Sequence, residues 1–268
     1  MRPTRRTIIT QALALPLALG VASRAISATP ERLWEDISSA VGMACDAQGY
    51  MFVAEWGAGR VSRFSPDGAR ETFATGLSGP SGLAIASDGM IFVASYSSDV
   101  IWRFTPDGDR ETYVTGLATP AGLSFDRAGR LMVANRRTNE ILAVEDGGLT
   151  PVMGGLQTPV GAVQTPDGGY VVSNIGGGVT IQRPDGARID AGQEFDTPGP
   201  GIAMTEAGRV FVVDYGGTTV REILMEGASR VIADGFSSPV GLVVTPDQSA
   251  IMTATWGERA IYRIPLPT

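Results

Sequence analysis

Apolar and polar residues alternate with a period of two through short stretches, and the stretches themselves recur along the chain. Val100-Ile-Trp-Arg-Phe-Thr-Pro-Asp-Gly108 alternates and then stops at a Pro-Asp-Gly triplet, the pattern of a strand entering a tight turn. Pro66-Asp67-Gly68 and Pro184-Asp185-Gly186 hold equivalent places. Upstream, the stretches opened by Gly82 and by Gly122 each read as two strands around a turn, and downstream Arg110-Glu-Thr-Tyr-Val-Thr115 reads as a more polar fourth strand. The six glycines that open these units, Gly42, Gly82, Gly122, Gly161, Gly201 and Gly241, lie 40, 40, 39, 40 and 40 residues apart. One small sheet cannot bury its own faces, so a repeat of this length predicts blades stacked side by side.

Four antiparallel strands per unit and six units predict an all-β, six-bladed β-propeller spanning residues 29–268 as one domain. The last unit ends at its third strand, Ile261-Tyr-Arg-Ile264, while Glu31-Arg-Leu-Trp-Glu-Asp-Ile37 aligns with the fourth-strand segment Glu71–Leu77. The N-terminal strand is therefore expected to complete the C-terminal blade and remove an open sheet edge. Residues 1–28 stand outside the array. Arg2, Arg5 and Arg6 precede an apolar run from Ile8 to Ala22, and Ile26-Ser27-Ala28 ends in small residues, which predicts an export signal, of the twin-arginine type in its Arg5-Arg6 pair. A periplasmic or secreted bacterial protein is expected, with no membrane span after the signal is removed.

Composition narrows the chemistry. The chain has no histidine and no lysine, so a Ser-His-Asp triad, Schiff-base chemistry and zinc held by histidine fall away. Neither haem nor nucleotide is indicated. Cys45 is the only cysteine, which excludes an internal disulfide, and its place in a first strand predicts a buried, inert thiol. Without residues 1–28, 17 arginines face 28 acids, a balance of −11, which opposes nucleic-acid binding. Carboxylates, hydroxyls, arginine and a hard cation such as Ca²⁺ or Mg²⁺ remain.

In an antiparallel pair the start of the first strand and the end of the second share one edge, so two sets of residues are expected to ring one mouth of the channel. At the end of the second strand stand Glu55, Ser95, Asn135, Asn174, Asp214 and Thr255. Of these, Glu55, Asn135, Asn174 and Asp214 are the candidate metal ligands, with Glu55 or Asp214 as base. Trp56, Tyr96, Arg136, Ile175, Tyr215 and Trp256 follow directly; the aromatics, with Ser81, Ser95 and Thr255, are candidate ligand contacts, and Arg136 is a candidate to steady negative charge. The same polar residues also fit a structural role, hydrogen-bonding nearby turns while the aromatics cover blade seams. Before the repeat glycines stand Val41, Ser81, Ala121, Val160, Pro200 and Val240, an almost wholly apolar second ring.

Residues 82–94 and 100–108, with their counterparts in the other units, resemble NHL-repeat propellers and the related senescence-marker-protein/gluconolactonase and virginiamycin B lyase groups. The resemblance covers residues 31–268. It implies a propeller and, from the gluconolactonase group, a divalent cation held by Glu, Asn and Asp at the channel mouth, several of them just before a blade's first strand. This chain carries Val41, Ser81, Ala121, Val160, Pro200 and Val240 there. The lyase group relies on histidine. Two functions follow as expectations: a cation-dependent hydrolase or lyase of lactone- or ester-like small molecules, or a non-catalytic module binding a small ligand or a partner protein.

Overall fold

The computed structural model describes residues 29–145 and 147–267, so the expected export signal lies outside the described residues. Six four-stranded antiparallel sheets stand around one axis. In the first blade the strands, a to d from the axis outward, are Ala40–Cys45, Met51–Glu55, Arg60–Phe64 and Arg70–Ala74. Blades two to five repeat this order from first strands at Pro80–Ile85, Pro120–Phe125, Pro159–Gln164 and Pro198–Met204. The sixth contains Pro239–Val244, Ala250–Thr255 and Ile261–Pro265, and its outer strand is Glu31–Trp34. The ring thus closes as the sequence predicts.

The packing logic is that of faces, not of a single centre. Six apolar clusters occupy the six seams between neighbouring blades. Phe52, Ala54 and Val61 of the first blade, for example, meet Leu83, Ile91 and Val93 of the second. Met252, Ala254 and Ile261 of the last blade meet Met43, Met51 and Val53 of the first. Period-two alternation feeds this arrangement, because each strand b turns successive side chains to the seams on either side of its sheet.

The repeat glycines are explained by close approach at the axis. A Cβ on Gly42 would stand 2.3 Å from the Ser81 carbonyl oxygen of the next blade, and one on Gly82 would stand 2.2 Å from that of Ala121. First strands converge there so tightly that backbone meets backbone. Cys45, the last residue of its strand, is half-buried, and burial together with the neighbouring Asp46 charge pushes its thiol up to about 12. That is an inert thiol at neutral pH. Among the described residues no helix is long and apolar enough to cross a membrane.

Candidate functional site

Five of the six mouth-facing residues are set by a two-stage anchor; in the fifth blade Asp214 grips the linker, but the Thr197 carbonyl accepts from Gly216 at 3.2 Å rather than from Tyr215. Strand b pairs with strand a so that its last residue lies opposite the first residue of strand a, as in Glu55 with Ala40, Ser95 with Pro80 and Asn135 with Pro120. The linker entering strand a therefore passes beside the end of strand b. In the first stage a side chain at or near that end grips this linker. Glu55 accepts the Ser38 N–H at 2.8 Å, Asn135 that of Ala118 at 2.7 Å, Asn174 that of Gln157 at 3.3 Å and Asp214 that of Thr197 at 2.9 Å. In the last blade Glu258 accepts the Ser237 N–H at 2.7 Å, and in the second Ser95 donates to the Ser78 carbonyl at 2.8 Å.

In the second stage the gripped linker holds the next residue of the chain. Its carbonyl oxygen accepts the backbone N–H of the mouth residue: Ser39 from Trp56 at 3.1 Å, Gly79 from Tyr96 at 3.0 Å, Thr119 from Arg136 at 3.3 Å, Thr158 from Ile175 at 3.1 Å and Ser238 from Trp256 at 3.0 Å. The accepting residue has a positive φ in all five cases, 51° at Ser39 and Thr119, 60° at Gly79, 59° at Thr158 and 50° at Ser238. For the non-glycine members this left-handed backbone is uncommon, and the surrounding hydrogen bonds hold it in place.

These geometries correct the expectation of a converging oxygen ring. Glu55, Asn135, Asn174 and Asp214 are buried, and their oxygens are engaged within their own blades. Glu55 also accepts from Arg60, Ser62 and Arg70, so its carboxylate is surrounded by donors. Asp214 accepts a second N–H, from Asp196, at 3.2 Å. Ser95 and Thr255 are likewise turned inward, the latter donating to the Ala260 carbonyl at 3.4 Å. The physical reason is the arriving linker: the side chain at the end of strand b turns toward it to satisfy its backbone groups, and the next residue, already in the turn beyond the strand, is left to face the mouth. Among the described residues no group of three or more Cys, Asp or Glu side chains is placed to hold a metal ion. The chain's oxygens at this mouth do not fit the cation that the gluconolactonase resemblance implies.

What lines the mouth is the second part of each pair. A cup of about 330 Å³ is walled by Trp56, Tyr96, Arg136, Ile175, Tyr215 and Trp256, and floored by Val41, Ser81, Ala121, Val160, Pro200 and Val240. The floor's one hydroxyl, on Ser81, is buried and donates to the Pro120 carbonyl at 2.9 Å, so the floor is apolar in effect. Below it the axial channel narrows to about 40 Å³ between the first strands, where the repeat glycines lie. The cup is open at the top and constricted at the bottom.

Its wall is lopsided. Trp56 and Tyr96 meet edge to face with centroids 4.9 Å apart, and Tyr215 and Trp256 do so at 5.6 Å. Trp256 is fixed further by its indole N–H, which donates to the Ala40 carbonyl at 2.7 Å across the closure seam. Because the sixth blade adjoins the first, these four aromatics form one arc over four consecutive blades, and Arg136 and Ile175 complete the circle. The Arg136 guanidinium sits 5.7 Å from the Tyr96 ring centroid and donates to its hydroxyl oxygen. It is the only charged side chain among the lining residues.

Fold and site together define a six-bladed propeller with an aromatic cup at one end of its axis. Solved structures with the same architecture include a gluconolactonase from Xanthomonas campestris, with a TM-score of 0.77, 19% identity and 94% of each chain covered. Virginiamycin B lyase from Staphylococcus aureus has a TM-score of 0.70 and 15% identity, over 89% of this chain and 99% of that one. A catalytically inactive histidine-to-alanine variant of the same lyase, with quinupristin, has a TM-score of 0.67 and 16% identity, over 86% of this chain and 81% of that one. At these identities the likeness is one of fold. No protein-family profile matches the chain, and no curated protein sequence does.

Proposed function

We propose that the protein captures a small, flat, largely apolar molecule in the cup at the channel mouth. The observation that carries this reading is the lining itself: four aromatic side chains in one arc over an apolar floor, packed edge to face in two pairs, with Trp256 also hydrogen-bonded to the backbone. Rigid aromatic walls provide contact area with little loss of side-chain freedom on binding, and the constriction below the floor sets the depth. Carboxylates, the groups expected to do acid–base work, are absent from the lining. The Arg5-Arg6 pair and the apolar run after it support the periplasm or the medium as the place where capture occurs.

Two of the chain's four tryptophans stand in the wall. Titration with naphthalene-sized aromatic compounds is therefore expected to quench tryptophan fluorescence. Trp56→Ala should weaken binding by about tenfold, the order expected when a buried aromatic contact is lost. Trp102→Phe, outside the cup, should leave affinity unchanged. Quenching that survives the Trp56 substitution at full affinity would refute the cup as the site.

The second reading is a hydrolase or lyase using the same cup, supported by the fold shared with a gluconolactonase and virginiamycin B lyase. Here Arg136 would stabilise developing negative charge, and the chemistry would proceed without histidine. Steady turnover of any member of a lactone and ester panel, abolished by Arg136→Met, distinguishes it from capture alone.

A further inference from the structure

We infer that the cup selects an aromatic carboxylate, gripped by Arg136 and Tyr96 acting as a two-donor fork; this rests on the cup being the binding site. Both side chains line the same wall. Arg136 donates one N–H to the Tyr96 hydroxyl oxygen and makes no ion pair among the described residues. A guanidinium carries five N–H donors, so others stay unengaged. The tyrosine oxygen accepts from the arginine through a lone pair. Its own proton is then directed away from the guanidinium, and none of the hydrogen bonds among the described residues uses it. One N–H and one O–H, held side by side, match the two oxygens of a planar carboxylate.

The surroundings set the rest of the ligand. Trp56 meets the Tyr96 ring edge to face, so the fork is continuous with the aromatic arc that would hold a flat ring. No lining residue is acidic, and the floor offers no free polar side chain. A cation could lie against the aromatic faces, but it would find no carboxylate in this cup and would be repelled by the Arg136 guanidinium. A neutral compound would leave the guanidinium partly desolvated with nothing to neutralise it, which is unfavourable. One positive charge in an apolar enclosure favours a ligand with one negative charge at its edge.

The test uses 2-naphthoate and its neutral isostere 2-naphthamide in calorimetric titrations at neutral pH. Wild-type protein should bind the acid at least about tenfold more tightly, as charge-assisted hydrogen bonds warrant. Arg136→Met should bring the two affinities together, while Arg136→Lys, which keeps the charge without the fork, should restore part of the preference. Tyr96→Phe should reduce affinity for the acid by about threefold, with the amide less affected. Equal binding of acid and amide by wild-type protein would overturn the inference and leave the cup reading intact, as would a preference that survives Arg136→Met. Failure of both probes to bind would overturn the cup reading and this inference with it.

Discussion

At the residue scale the two carboxylates of greatest consequence are structural. Glu55 is fully buried, and Glu222 nearly so, with Arg209 at 2.9 Å and Arg230 at 2.7 Å. Burial pushes the Glu55 carboxyl up, but hydrogen bonds from Arg60, Ser62, the Ser38 backbone and Arg70 outweigh it and hold the group below its ordinary value of 4.5. A lowered folded-state value means that the contribution to stability is complete above that ordinary value and is lost as pH falls through the folded one. Glu55→Gln is therefore expected to cost roughly 2 kcal/mol at neutral pH and to flatten the acid limb of a melting-temperature profile below about pH 4.5. An unchanged acid limb would show that Glu55 does not contribute in this way. The sequence marked these positions as special without revealing why. Glu, Asn and Asp differ in charge, yet all three accept the same linker N–H, so their variation reads as functional tuning until the linker is seen beside them.

At the scale of elements the first strands are the most tightly constrained. Gly82→Ala places a methyl group 2.2 Å from the Ala121 carbonyl oxygen, and a backbone group cannot swing aside as a flexible side chain can. A loss of at least about 3 kcal/mol is expected, above the usual range for core overpacking because the strand would have to move off its neighbour. Gly68→Ala is the control for substituting a repeat-unit glycine with open space around it, although its positive φ of 93° makes a smaller loss of about 1 kcal/mol expected. Chemical denaturation of the two variants checks the order, and equal losses would contradict the close-approach argument. The glycine period was legible in sequence. The reason for it, a carbonyl from a strand about 40 residues away, belongs to the ring.

For the whole molecule, stability depends on closure. Trp34, on the strand that completes the last blade, packs 4.9 Å from Phe64 of the first blade and donates its indole N–H to the Gly68 carbonyl at 3.1 Å. Arg70 reaches back to the Asp36 carbonyl at 3.2 Å. Removing residues 31–34 would expose the strand Ile261–Pro265 as an open edge beside a loosened seam. The expected outcome is a lower, broader thermal transition and self-association by light scattering; a sharp, unshifted transition in a monomer would show that closure is dispensable.

The sequence by itself determined the blade count, the strand order, the closing strand and the two rings of residues that became wall and floor. It could do so because period-two alternation and a 40-residue repeat are local properties that survive in one dimension. Only the tertiary structure decided which member of each adjacent pair, Glu55 or Trp56, Asn135 or Arg136, faces the mouth, since that depends on a linker arriving from the strand before. It also decided that Tyr215 and Trp256 continue the arc of Trp56 and Tyr96, residues far apart in the chain that become neighbours when the ring shuts.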